Sequence, residues 1–309
     1  VNVGSDQPIT GHKKGLEVLD AVDEEAIVAA PGKSDAQSHD DLLSHCEKMQ
    51  DRVAILDPPA DVSNIEDLTK VAAVAVPGAR SGDAEDLSGM RPRVSERGYG
   101  AFYFPYITVR NALKPRELIN TAPSGYLAGI YARSDATRGV HKAPANEVVR
   151  GALNVTYRVT TDEQGLLNSN GVNVIRFFQK EGILVWGART LADSASEWRY
   201  INVRRLFNQV EESIALHTKW VVFEPNDETL WKSIRRDIGA FLTLLWRDGA
   251  LAGRTPEEAF FVKCDAETNT PDVIDAGRVV TLIGMAPVKP AEFVLFKIGQ
   301  HQAGSETTE

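Results

Sequence analysis

Residues 278–300, RVVTLIGMAPVKPAEFVLFKIGQ, carry the apolar pattern from which the rest of the chain is read. β-Branched and aromatic residues dominate two runs, Val279–Ile283 and Glu292–Ile298, and Pro287 and Pro290 bracket the crossing between them. The pattern predicts two strands. The second comprises Glu292, Phe293, Val294, Leu295, Phe296, Lys297 and Ile298. Phe293 and Leu295 fall on one face, with Val294, Phe296 and Ile298 on the other. A strand that is apolar on both faces needs cover on two sides, or a place inside a sheet. Followed only by the polar tail 301–309, it can join another subunit's sheet edge as readily as its own.

Upstream, AIVAA (residues 26–30) before Pro31-Gly32 and Arg52–Asp57 before Pro58-Pro59 read as short buried strands. Between them, Leu42, Leu43, Cys46 and Met49 recur at helical spacing over 34–50. Residues 65–75 predict a further helix, capped by Ser63 or Asn64. Strand, helix, strand, helix implies an α/β layer with parallel strands. Residues 77–98 are a Gly/Ser/charge-rich interval, either a long loop or a place where sequence has been lost, and 99–109 a strand that Pro105 assigns to an edge or a bulge. A helical stretch over 126–131 precedes a polar loop over 133–147. Strands are predicted at 172–178, 183–186, 220–224 and 260–264, and long helices over 195–219 and from Pro225-Asn226-Asp227 onward. Thr255–Glu258 has the spacing of a capping box.

The balance of charges excludes some functions. Lys and Arg number 34 against 43 Asp and Glu, a formal net charge of −9, which argues against a protein that coats nucleic acid. Cys46 and Cys264 are too few for a disulfide framework or a zinc site and read as buried thiols. No run approaches the ~20 apolar residues of a membrane span, and no signal peptide opens the chain. The chain starts at Val1 rather than Met, as a fragment or a processed form would.

Neither GxxxxGK[ST] nor a helix-opening GxGxxG occurs. His39 and His45 flank Asp40-Asp41 and read as polar residues around a helix start. Ser124, in Ala-Pro-Ser-Gly-Tyr, reads as a turn or helix cap rather than a nucleophile elbow. Asp265–Asp272 lacks the Gly and terminal Glu of an EF-hand and reads as a solvated loop. No catalytic, metal or cofactor constellation emerges.

Several motifs nevertheless occur together in one order: Trp186–Leu191 (WGARTL), Trp198–Arg205 (WRYINVRR), Trp220–Asn226 (WVVFEPN), Pro256–Phe261 (PEEAFF) and Ala286–Phe293 (APVKPAEF). With Tyr131–Asp135 and Lys142–Asn146 upstream, these resemble the sheath proteins of contractile phage tails and of phage-tail-like contractile injection systems. The resemblance implies an α/β (α+β) fold in which 15–187, with loop 77–98, form an outer mixed α/β domain, subtilisin-like in fold only. Residues 188–300 would form the inner, ring-forming domain, two long helices on a small mixed sheet completed by strands exchanged between subunits. Residues 1–14 would be an arm or linker, though no clear arm strand is legible there. The implied function is that of a structural subunit, not an enzyme. Subunits would stack as hexameric rings around an inner tube and contract to drive it through a target envelope, with the subunit itself, the inner tube protein and baseplate and terminal cap proteins as partners. No cofactor, direct nucleic-acid contact or membrane insertion is expected, and assembly would occur in the bacterial cytoplasm.

Lys232, Arg235 and Arg236 lie off the apolar stripe of their helix and read either as a solvated face or as a contact to an acidic inner tube. Arg204 and Arg205 admit the same two readings, or pairing with acidic neighbours within the helix. Two rival readings are an α/β enzyme whose site is assembled from distant residues, and a monomeric binding module that keeps its last strand.

Overall fold

The computed structural model describes residues 15–22, 26–73 and 89–293. The expected arm 1–14, most of loop 77–98, Val294–Ile298 and the polar tail lie outside them.

β1 (Ile27–Ala29) leads through Pro31-Gly32 to α1 (Ala36–Met49), where the Asp35 side chain accepts a hydrogen bond from Ser38 N at 2.9 Å. β2 (Val53–Leu56) and β3 (Gly100–Phe104) follow. Next come β4 (Ile107–Arg110), β5 (Leu118–Thr121), α2 (Ser124–Arg138), β6 (Glu147–Val148), β7 (Ala152–Val155), α3 (Thr161–Ser169), β8 (Val172–Phe178) and β9 (Gly182–Trp186). The main sheet has six strands in the order β1-β2-β3-β8-β9-β6. β1, β2, β3 and β8 run parallel, while β8–β9 and β9–β6 pair antiparallel. β5-β4-β7 form a separate antiparallel sheet.

β2 and β3, in the middle of the main sheet, are covered on both faces, which is why they read as unbroken apolar runs. Side-chain alternation sends Ala54, Leu56, Phe102, Phe104, Val172 and Val174 toward Leu42, Leu43 and Cys46 of α1 and Leu167 of α3. Ile55, Ala101, Tyr103 and Ile175 go the other way, toward Leu127, Ile130 and Tyr131 of α2 and Ile107 and Val109 of the small sheet.

A further core is built by α4 (Ile201–His217), α5 (Glu228–Arg247), α6 (Pro256–Ala259), β10 (Phe260–Lys263), α7 (Pro271–Asp275) and β11 (Leu282–Met285). Its two long helices pack on the antiparallel β10–β11 ladder, Leu206 and Val210 meeting Leu230, Ile234, Ile238 and Leu242. Ile201, in the first turn of α4, belongs instead to the core beneath the main sheet. One helix is thus shared by two cores.

Several expectations are corrected. Pro105 does not demote its segment to an edge. β3 is central and fully buried, and the chain after Pro105 enters a different sheet. The expected helix 65–75 is a 3-10 turn, Ile65–Leu68, capped by Asn64. A bridge to Arg91 then takes the backbone, with Ala72 N donating to Arg91 O at 2.7 Å. Helix α2 continues through the expected loop as far as Arg138, and α4 starts at Ile201, six residues past the expected 195.

Residues 220–224 are not a strand. A 3-10 turn (Lys219–Val221) follows α4, Phe223 takes a positive φ of 72°, and Val222 and Phe223 are exposed. The segment is the link between two helices, and no ladder partner lies beside it among the described residues. Thr255 makes no side-chain cap, and the Glu258 carboxylate accepts from Arg254 N, 2.8 Å away, rather than from Thr255 N. Val280 is likewise outside β11: its backbone is held by buried Asn269, which belongs to the loop expected to be solvated.

Candidate functional site

The residues that distinguish this fold from a plain α/β layer gather where the two cores meet, at the start of α4. Tyr200 caps the helix in extended conformation, and the next turn presents Asn202, Arg204 and Arg205, all buried. Arg205 donates to both oxygens of Asp135 on α2, at 2.9 and 2.6 Å, with its guanidinium 4.9 Å from the Tyr131 ring centroid. The Tyr131 hydroxyl bonds that of Tyr103, 2.6 Å away, and burial pushes both phenols up.

Arg204 is enclosed by Trp198, Tyr99 and Phe207, with ring centroids at 4.2, 4.7 and 5.8 Å. Its Nε donates to Asn208 at 2.7 Å and its Nη2 lies 3.6 Å from Glu211, while desolvation lowers its pKa. A planar, weakly hydrated cation suits such a stack. The expectation that these two arginines lie off the buried face is therefore overturned. Aromatic rings and a carboxylate from other elements make that face receptive to charge.

The C-terminal segment crosses the same joint. Ala252 N donates to Ala286 O, Ala286 N to Ala259 O (both 2.8 Å) and Val288 N to Ala250 O (3.2 Å), which fastens it to the second core. Asn202 Nδ2 then donates to Val288 O at 3.1 Å and to His141 O at 2.9 Å. Four residues on, Glu292 reaches the α/β core. Arg189 Nε and Nη2 donate to its two oxygens at 2.8 Å each, Asn168 Nδ2 at 2.6 Å and Tyr200 OH at 3.2 Å. Burial works to raise the Glu292 carboxyl, but the hydrogen bonds from Arg189 and Asn168 outweigh it and hold the group below the ordinary glutamate range.

Arg189 is itself fixed. Its backbone N donates to Asn173 Oδ1, and Asn173 Nδ2 donates back to its carbonyl, both at 2.7 Å. Gly187 permits that approach, since a Cβ there would lie 2.8 Å from Asn173 Oδ1. Beside the segment runs a cleft of about 600 Å³, bordered by Trp186, Lys142, Lys289 and Phe293.

Of the seven residues predicted for strand exchange, Glu292 is thus held within its own chain, Phe293 is exposed, and Val294–Ile298 lie outside the described residues. Lys232 is exposed and pairs with Glu228, and Arg236 is exposed and pairs with Asp237. Arg235 is half-buried and donates to Cys264 O. The three do not form one free basic face.

His39, in the first turn of α1, and His45, further along it, are both buried. The His39 ring pairs with Asp57 O at 3.0 Å. Ser124 is buried in the first turn of α2, its N and Oγ donating to Asp57 at 2.8 and 2.6 Å. Both cysteines are buried, and neither is in a disulfide. Arg189, Asn168 and Tyr200 went unassigned in the sequence, because their partner Glu292 lies 103, 124 and 92 residues away.

A phage tail sheath central domain matches residues 12–191, and a phage tail sheath C-terminal domain matches residues 193–300. The chain is 26% identical to the tail sheath protein of Salmonella phage ViI, over 85% of its own length and 41% of that protein's. It therefore spans less than half of that relative. The sheath complex of an extracellular contractile injection system, PVC, in its contracted state superposes with a TM-score of 0.76 at 31% identity, covering 93% of this chain and 73% of that one. The helical sheath of the anti-feeding prophage, AFP, also contracted, gives 0.71 at 34% identity, covering 92% and 72%.

Proposed function

The chain belongs to the phage tail sheath family, and on that premise we propose that it is a non-catalytic subunit of a contractile sheath. The observation that carries this reading is the match of both sheath domains, in order, across residues 12–300, joined to a fold shared with sheaths solved in the contracted state. Copies would stack as hexameric rings around an inner tube, docked on a baseplate and closed by a terminal cap. Contraction would then drive the tube through a target envelope. The particle, a phage tail or a tail-like injection system, would assemble in the bacterial cytoplasm.

In this reading residues 15–187 form the outer domain and 188–300 the ring-forming one. Motion needs no bound cofactor, because the free energy resides in contacts between subunits that differ in the two lattices. Phe293 and the apolar run Val294–Ile298 would pass to a neighbour and extend its sheet. β10 and β11 offer a place for it: among the described residues each pairs only with the other, and Phe261 and Leu282 are exposed. Lys232 and Arg236 remain the candidates for facing an acidic tube. Arg235 would have to give up its bond to Cys264 O to join them.

Negative-stain electron microscopy of the purified chain tests the proposal. Striated tubes or stacked rings are expected at high protein concentration and with added inner tube protein. Single particles under every condition would overturn it.

A further inference from the structure

Residues 286–292 are tied at one end to the second core, through Ala250, Ala252 and Ala259, and at the other to the α/β core, through Glu292. Their middle is pinned to α4 by Asn202. Pro287 and Pro290 fix φ at two positions. The residues from Val288 to Glu292 span at most ~14 Å fully extended, so the segment has little slack. At the far end the carboxylate is held by a charge-paired fork and two neutral donors, the largest concentration of hydrogen bonds on any side chain of the segment. The next residue, Phe293, is exposed.

We propose that residues 286–292 are a strap between the two cores and that Glu292 is its latch. The latch fixes the point on the α/β core from which the chain leaves toward a neighbouring copy. This rests on the sheath reading for the destination of the leaving segment, but the strap and latch are features of the single subunit. With the latch closed, a rotation of the α/β core moves the departure point of the donated segment and pulls on the neighbour. With it open, the departure point retreats to the last tie on the second core, near Val288, and the two motions are uncoupled. Arg189, Asn168 and Tyr200 act as positioning residues for the strap.

Glu292→Gln, Arg189→Met and Tyr200→Phe, each in the full chain, test the inference by the motion of a nitroxide attached through Phe293→Cys, the two native cysteines being buried, by amide hydrogen exchange in the two cores and by microscopy. The nitroxide is expected to tumble severalfold faster in Glu292→Gln and Arg189→Met than in the otherwise wild-type chain, and less so in Tyr200→Phe, which loses one neutral bond. Amides of β3 and α5 should keep their wild-type rates. An unchanged nitroxide spectrum in Glu292→Gln would overturn the latch. So would accelerated amide exchange throughout both cores, which would mark a general loss of stability. Where wild-type tubes form, Glu292→Gln should reduce their yield severalfold or alter their striation, and identical tubes would overturn the coupling. Failure of wild type to assemble would count against the sheath reading, while the nitroxide data would still decide the latch.

Discussion

Replacing Arg205 by Met keeps the aliphatic stem against Tyr131 and removes the charge that Asp135 faces across the two cores. The pair is bidentate, at 2.9 and 2.6 Å, with side-chain exposures of 5% for Arg205 and 24% for Asp135. At an effective dielectric constant of about 20, charges ~4 Å apart attract by about 4 kcal/mol. Desolvation of the guanidinium offsets part of that, and Asp135 rehydrates partly once left alone, so Arg205→Met should cost about 2–3 kcal/mol. Lost contact with the Tyr131 ring adds ~0.5–1 kcal/mol. Asp135→Asn alone should cost a similar amount, because it leaves the more buried partner unpaired. The double variant should cost only slightly more than either single one, giving a coupling energy of about 2 kcal/mol. Urea unfolding of all four proteins, followed by circular dichroism, measures this as shifts in midpoint at constant slope. A coupling below ~0.5 kcal/mol, the range of exposed surface pairs, would refute the claim that this pair fastens α2 to α4.

Asp57 accepts from Gly32 N, Ser124 N and Ser124 Oγ in a buried site, so Asp57→Ala strands these donors and should lower stability by about 2–4 kcal/mol in the same urea assay. Among the described residues, no acceptor lies within hydrogen-bond reach of Arg204 Nη1 or Nη2. Arg204→Met, which fills the aromatic cage without a charge, should therefore be within ~1 kcal/mol of wild type, while Arg204→Lys costs more. A Met variant less stable than the Lys variant would contradict the caged-cation account.

Acid titration separates two carboxyls of opposite sign. The Glu292 carboxyl is lowered from its ordinary 4.5, so its stabilisation is present above that value and is lost as pH falls through its folded pKa. Asp57 is raised from 3.8 by burial, so its contribution is full below 3.8 and fades as pH rises through its folded pKa. The stability advantage of wild type over Glu292→Gln should be largest near neutral pH and shrink below pH 4.5, as read from urea midpoints across pH 3–7.

Local pattern carried much of the architecture. The unbroken apolar run at 53–56 marked a buried strand, the β-branched and aromatic residues at 172–178 marked another strand, and Asp227 marked the start of α5, where it accepts from Leu230 N at 2.9 Å. Errors arose where a distant partner outweighed local preference. WVVF at 220–223 has strand propensity, but it links two helices and has no ladder partner among the described residues. Arg204 and Arg205 look like a solvent face until Tyr99, Tyr131 and Asp135 close over them from 70 or more residues away. The Glu292 clamp was illegible for the same reason. Its motif, WGARTL, was visible as a signature, but the arginine's role depends on a carboxylate 103 residues downstream.

In the proposed sheath, copies are held together by the segment past Phe293, and isotope-coded cross-linking reads that directly. Equal amounts of ¹⁵N-labelled and unlabelled protein would be co-assembled by unfolding and refolding the mixture. Lysine cross-linking would then be followed by mass spectrometry of peptides joining Lys297 to Lys263, Lys219 or Lys232. Mixed-isotope pairs at the statistical frequency are predicted, because the donated segment lies on another copy. Links confined to like-labelled peptides would mean that each chain keeps its own last strand, and would contradict the central claim.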